Sequence, residues 1–166
     1  VPIASSDIHY RLSGGSSNSD PTASLGGAKS TTTDAGSNIM PDVTGAQSAA
    51  GITQYRGVVL SNEHGTLTWQ SVKVWISTDT PSADTDADVA LAAEAVNTQM
   101  ASIANETTAP TSVTFTNAAV SFATGLSIGD IPAGQFKGVW LKRVVNAGAA
   151  AASDSFTVSA QGDTNP

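Results

Sequence analysis

Three short motifs bring together residue types that can do chemistry. Gly125-Leu126-Ser127-Ile128-Gly129 has the spacing of a nucleophile elbow. There a strand-to-helix turn exposes a serine hydroxyl, and an acid and then a histidine follow later in the chain. Pro132 falls where the helix would have to run, and both histidines, His9 and His64, precede Ser127. The order of partners is therefore wrong, and the glycines read as turn residues. Gly26-Gly27-Ala28-Lys29-Ser30 lacks the first glycine and the Gly-Lys step of a phosphate-binding loop. Asp84-Thr85-Asp86-Ala87-Asp88 alternates carboxylates as an EF-hand does, yet Val89 and Ala95 stand where that loop needs Gly and Glu. It reads as a solvated acidic turn, with an irregular calcium site as the alternative. His9 and His64 make no ligand pair, and a chain without cysteine has no thiolate site and no disulfide. Asn105-Glu106-Thr107 would be a glycosylation sequon only in a protein secreted by a eukaryote. The expectation is a protein with no catalytic residue, no metal site and no cofactor: not an enzyme.

The elements that would hold such residues are short strands. Tyr55–Leu60, Leu67–Ser77, Leu126–Ile131, Phe136–Val145 and Phe156–Ala160 are apolar or alternating runs between turn residues, as in a sandwich or barrel. Leu67 and Trp69 point one way, and Val72, Val74 and Ile76 continue that face one residue out of phase. A β-bulge at Gln70-Ser71 would produce that slip. The last two runs read as a hairpin, Val113-Thr114-Phe115 as a short strand, and Val89–Val96 as either helix or strand. Trp75 and Trp140, inside strands, are expected to be largely buried or packed on a neighbouring subunit.

Composition changes near residue 52. Before it the only aromatic is Tyr10, and residues 13–50 are rich in Ser, Gly and Thr. Such a stretch buries too little apolar surface to offset its own ordering. Residues 1–52 are therefore expected to form an extended N-terminal arm, and 53–166 a separable β-sandwich domain. Within the arm, Ile8–Leu12 alternates and could be one strand. Leu25, Ile39, Met40 and Val43 are isolated apolar residues, expected as anchors on a partner. A plain flexible linker is the alternative.

Charged residues make up 13% of the chain, against roughly 25% in average proteins. The net charge of −7 argues against neutralising phosphates, so direct nucleic-acid binding is not expected. No run approaches the ~20 apolar residues of a membrane span, and residues 1–6 lack the basic and apolar regions of a signal peptide. Synthesis in a cytoplasm is the expectation, with a final location that can still be outside a cell.

Two groups of residues carry a resemblance. Ser6-Asp7-Ile8-His9-Tyr10-Arg11-Leu12-Ser13-Gly14-Gly15, with Asn18-Ser19-Asp20-Pro21 and Ala23-Ser24-Leu25-Gly26-Gly27, resembles the start of small virion structural proteins of tailed bacteriophages. Val72-Lys73-Val74-Trp75-Ile76, Ile131-Pro132-Ala133-Gly134-Gln135, Val139-Trp140-Leu141-Lys142-Arg143 and Gln161-Gly162-Asp163-Thr164 are similar to their later part. The resemblance implies a capsid- or tail-associated protein with an immunoglobulin-like or jelly-roll β-sandwich. Head decoration (cement) proteins have this size and charge. The implied partners are the major capsid protein or other virion proteins, with the chain as a homo-oligomer in the virion. A neck, tail or baseplate component and a carbohydrate- or host-binding module are the competing readings. On the β domain, the loops Asn62–Gly65 and Asn146–Ser153 are further contact candidates.

Overall fold

The computed structural model describes residues 2–150 and 154–164. Among the described residues seven strands carry the fold: β1 (Ile8–Leu12), β2 (Ile52–Asn62), β3 (Trp69–Thr78), β4 (Thr85–Leu91), β5 (Leu126–Ile131), β6 (Phe136–Val145) and β7 (Thr157–Thr164). One short helix, α1 (Gly45–Ala50), is capped by Thr44, whose hydroxyl accepts from the Gln47 amide. The strands form two antiparallel sheets, in the orders β1-β2-β6-β4 and β5-β3-β7. The all-β sandwich expected from the sequence is the fold found.

The long β2–β6 ladder, from Ile52 opposite Val145 to Ser61 opposite Phe136, is the spine of the larger sheet. Alternate residues on its inner face (Val58, Leu60, Val139, Leu141) meet Val72, Val74, Ile76 and Ile131 of the smaller sheet. The outer face is buried too. Val59, Ala90 and Trp140 lie beneath Met100, with Ile103, Val113 and Phe115 packed around them. Gly57 and Gly138 make that cover fit: a Cβ at Gly57 would come within 2.8 Å of Met100 Cε, and one at Gly138 within 2.9 Å of the Ala92 Cβ.

The bulge in β3 is present. Ser71 has φ 53°, and the register slips between Trp69 and Val72. Trp69, Val72, Val74 and Ile76 consequently all face the core, none more than 5% exposed. Gly162 of β7 lies under the bulge, where a Cβ would come within 2.6 Å of the Gln70 carbonyl oxygen.

Three expectations need correction and one, the alanine-rich run, is narrowed. β6 and β7 are not a hairpin: β6 lies between β2 and β4, while β7 pairs with β3 in the other sheet. The intervening residues 146–156 outrun the about two to five of a hairpin loop, and a strand buried on both faces needs a neighbour on each side. Val113–Phe115 is no strand; it is part of the cover on the outer face, and Thr116 makes a two-bond bridge with Val89. The alanine-rich run is strand only to Leu91, after which Ala92 donates to Gly138 O and turns follow. The acidic cluster is not a solvated turn. Asp86 and Asp88 lie within β4, and Asp88, 6% exposed, sits opposite Lys142 with its Oδ2 2.5 Å from that Nζ.

Residues 2–52 are laid onto the sandwich. β1 pairs with β2, and Leu12 is fully buried. Ser13, Ser24 and Ser30 are also fully buried, and their hydroxyls serve backbone groups: Ser13 Oγ donates to Gly57 O and accepts from Gly26 N. Gly26 and Gly27, at φ +88° and +86°, turn the chain against residues 101–102. This segment is held by hydroxyl-to-backbone hydrogen bonds, which a count of apolar side chains does not register.

Candidate functional site

Ser127 is exposed on β5, pairs with Lys73, and is followed by more strand. Lys29 is tied to the end of β2: its Nζ donates to Ser61 Oγ at 3.0 Å and lies 3.5 Å from Glu63 Oε1. The three aspartates are each engaged: Asp88 by Lys142, Asp86 by Asn117 Nδ2, Asp84 by the Ala150 amide. Among the described residues, no group of three or more His, Cys, Asp or Glu is placed to hold a metal. His64 Nδ1 accepts from the amides of Thr66 and Leu67, shaping the β2–β3 turn. Asn105 Oδ1 accepts from Thr107 N and so builds a turn.

Charge concentrates on the outer side of β1. The Arg11 guanidinium donates twice to Glu63, at 2.9 and 2.7 Å, and lies 3.2 Å from Asp34. His9 stands 3.1 Å from Asp34 and 3.8 Å from Glu63. The Arg11 hydrogen bonds bring the Glu63 carboxyl down to about 2. This cluster fastens β1 and the 33–35 segment to the end of β2.

Between the sheets, beside β7, lies an open cleft of about 920 Å³. One wall is Phe156 and the first two residues of β7, Thr157 and Val158; the floor includes Leu141, Arg143 and Val145 of β6. Tyr10 of β1 lies on the same face of that sheet, and a strap, residues 35–44, that carries Ile39, Met40 and Val43 completes the lining. Three of the four arm anchors thus line this cleft, and Ile39 and Met40 pack on the core. Leu25 is elsewhere, its carbonyl accepting from Ile103 N. The Arg143 guanidinium donates to Gln54 Oε1 and has no carboxylate within ion-pair distance among the described residues. Burial, then the neighbouring Arg56, holds its pKa below the usual guanidinium value. Arg56 is paired with Glu106 at 2.5 Å. The Tyr10 hydroxyl, the Gln54 Nε2 and the Arg56 Nε are buried without a partner, and burial raises the Tyr10 pKa.

A second feature is aromatic. Trp75 points to the outer side of β3 and is half-buried, whereas Trp140 is 2% exposed in the core. The Trp75 ring meets Phe122 edge-on, with centroids 6.1 Å apart. Lys73 Nζ lies 5.1 Å over the Phe122 ring. Phe122 is 36% and Val120 55% exposed, the two exposed large apolar side chains among the described residues. Both sit in a turn stapled by Thr124 Oγ1, which accepts from Val120 N and Ser121 N. Of the candidate loops, Asn62–Gly65 is tied inward by Asn62, while residues 151–153 of the other lie outside the described residues.

Sequence reasoning missed Val120, Phe122, Tyr10 and Arg143. An aromatic and a valine in an otherwise polar run were a readable cue for the first two. For Tyr10 and Arg143 no local pattern distinguishes a cleft-lining residue from any other strand residue. These features belong to a four-on-three antiparallel β-sandwich. No protein-family model, curated protein or solved structure matches the chain.

Proposed function

We propose that this chain is a structural protein of a tailed-phage virion, a head decoration protein that attaches to the capsid surface. The observation that carries the reading is the Val120–Phe122 turn with Trp75 behind it. Contiguous apolar side chains held outward on a rigid turn mark a protein contact rather than a soluble surface. Aromatic anchors of this kind supply most of the energy of such contacts. Lys73 over the Phe122 ring adds a cation at the patch of a chain whose net charge is −7, suiting an acidic or carbonyl-rich partner surface. In a symmetric shell each contact is repeated, so a small patch suffices.

Particle binding tests this directly. Phe122→Ser combined with Val120→Ser should leave the melting temperature within a few degrees of wild type and weaken attachment to purified heads at least about tenfold. Quantitative mass spectrometry of particles separates locations: on the order of hundreds of copies place the protein on the shell, about six or twelve on the neck or baseplate. Equal attachment by the double variant removes the patch from the contact. Glycan binding without any particle association would replace the virion reading by a carbohydrate-binding one.

A further inference from the structure

The sandwich carries an apolar knob and an apolar recess that cannot meet within one molecule. The knob is the Val120–Phe122 turn. The Ile76 amide donates to Ala119 O, which puts that turn on the β5 side of β3, since β7 takes the other side. The recess is the cleft, whose lining includes the first two residues of β7 and none of β3 or β5. Knob and recess therefore flank opposite edges of the smaller sheet. Ile39, Met40, Val43, Phe156 and Val158 are only half-buried around the recess, so each leaves apolar surface in contact with water. Its volume of about 920 Å³ lies within the about 300–1,000 Å³ of clefts that enclose a small ligand, ample for one phenyl and one isopropyl group.

Charge is complementary as well. Of the seven lysines and arginines, six give a side-chain hydrogen bond to an oxygen. Lys73 gives none among the described residues and rests over the Phe122 ring, so a free ammonium travels with the knob. Two carboxylates, Asp42 and Asp154, line the recess against one guanidinium, and that one, Arg143, already donates to Gln54. Asp42 is exposed, Asp154 accepts from Thr85 Oγ1, and neither has a cation within ion-pair distance among the described residues. Asp84 adds a third carboxylate beside Ala150 of the lining.

We propose that Phe122 and Val120 of one copy enter the cleft of a second copy, with Lys73 of the first set against Asp42 and Asp154 of the second. Knob and recess are different surfaces, so the contact is heterologous. Each copy gives its knob to one neighbour and receives the knob of another, and the contacts run on into a ring or an open chain instead of closing as a two-fold pair. This rests on the reading of the Phe122 turn as a protein contact and names what that turn meets on the shell, the neighbouring copy. Neighbour contacts couple the attachment of one copy to that of the next, so loss of the knob weakens binding to heads through lost avidity.

The test is self-association of the full chain by sedimentation equilibrium at low salt, where association should grow with concentration past the dimer. Val120→Ser with Phe122→Ser removes the knob, and Val43→Lys blocks the recess with bulk and a charge that repels Lys73. Either variant alone should associate at least about tenfold more weakly. Mixing the two should give an equimolar dimer that grows no further, because each such pair has one intact knob facing one intact recess. Lys73→Gln should weaken association about threefold to tenfold and flatten its salt dependence, while Lys73→Arg keeps both. In NMR, the isotope-labelled knob variant titrated with unmodified chain should shift the Ile39 and Met40 methyls and leave β5 unmoved. That titration carries the test even if Val43→Lys melts non-cooperatively. A chain that stays monomeric at millimolar concentration overturns the proposal. So do variants that mixing fails to restore, shifts confined to another surface, or a salt dependence that ignores Lys73→Gln. Knob-dependent binding to heads by a chain that stays monomeric gives the knob to the capsid protein and removes this proposal alone. Knob-in-recess association without head attachment removes the decoration reading alone.

Discussion

Glu63 shows how one side chain can tie distant parts of the chain together. It sits at the end of β2, yet its carboxylate takes two hydrogen bonds from Arg11 of β1 and faces Lys29 and His9. Its folded pKa, about 2, lies below the ordinary 4.5. A depressed carboxyl contributes stability that is full above pH 4.5 and is lost as pH falls toward about 2. Because Glu63 is partly exposed, solvent screening limits the contribution to about 1 kcal/mol. Glu63→Gln should therefore lower urea stability by about that much at pH 7. It should also flatten the acid-induced loss between pH 4.5 and 2, as read from denaturation midpoints across that window. An unchanged pH slope would mean that the Arg11 pair contributes nothing. The pair was not legible in sequence, because 52 positions separate its members.

At the scale of the element, β3 was the most readable part of the chain, and its reading extended to an irregularity. The order Trp69, then Val72, Val74 and Ile76, keeps one face apolar only if a residue is gained, and Ser71 at φ 53° supplies the gain. The partner of that bulge was not readable. Gly162 lies where a Cβ would press on the Gln70 carbonyl and, at 2.8 Å, on Trp69 Nε1. Gly162→Ala is expected to cost about 1–3 kcal/mol through overpacking, measured by thermal or urea unfolding, with the largest NMR shifts at Trp69. β6 illustrates the converse. Its strength as a strand was plain, but both faces are buried, so its pattern names no partner, and the hairpin inferred with Phe156–Ala160 was the wrong pairing.

For the whole molecule, the position of the first 52 residues matters most. Leu12 is fully buried, and Ile3, Ile8, Tyr10, Ile39 and Met40 pack on the main core. Each buried apolar side chain stabilises by about 1.5–3 kcal/mol, and a domain's net stability is about 5–15 kcal/mol. A fragment starting at Thr53 would also leave Val58 to Asn62 of β2 without β1 on that edge. It is therefore expected to lack a cooperative melt by circular dichroism, whereas the full chain has one. A fragment that melts like the whole chain would show that residues 1–52 only rest on the sandwich. The local sequence pattern determined the all-β class, the places of β2, β3, β5, β6 and β7 and the change in character near residue 52, because alternation and turn chemistry act over a few residues; it did not place β4. Tertiary structure decided which strands pair, that Trp75 faces outward while Trp140 is core, and that serines and glycines hold the N-terminal segment down. It also left β7 beside an open cleft. These depend on contacts between residues tens of positions apart, whose energies no local pattern encodes.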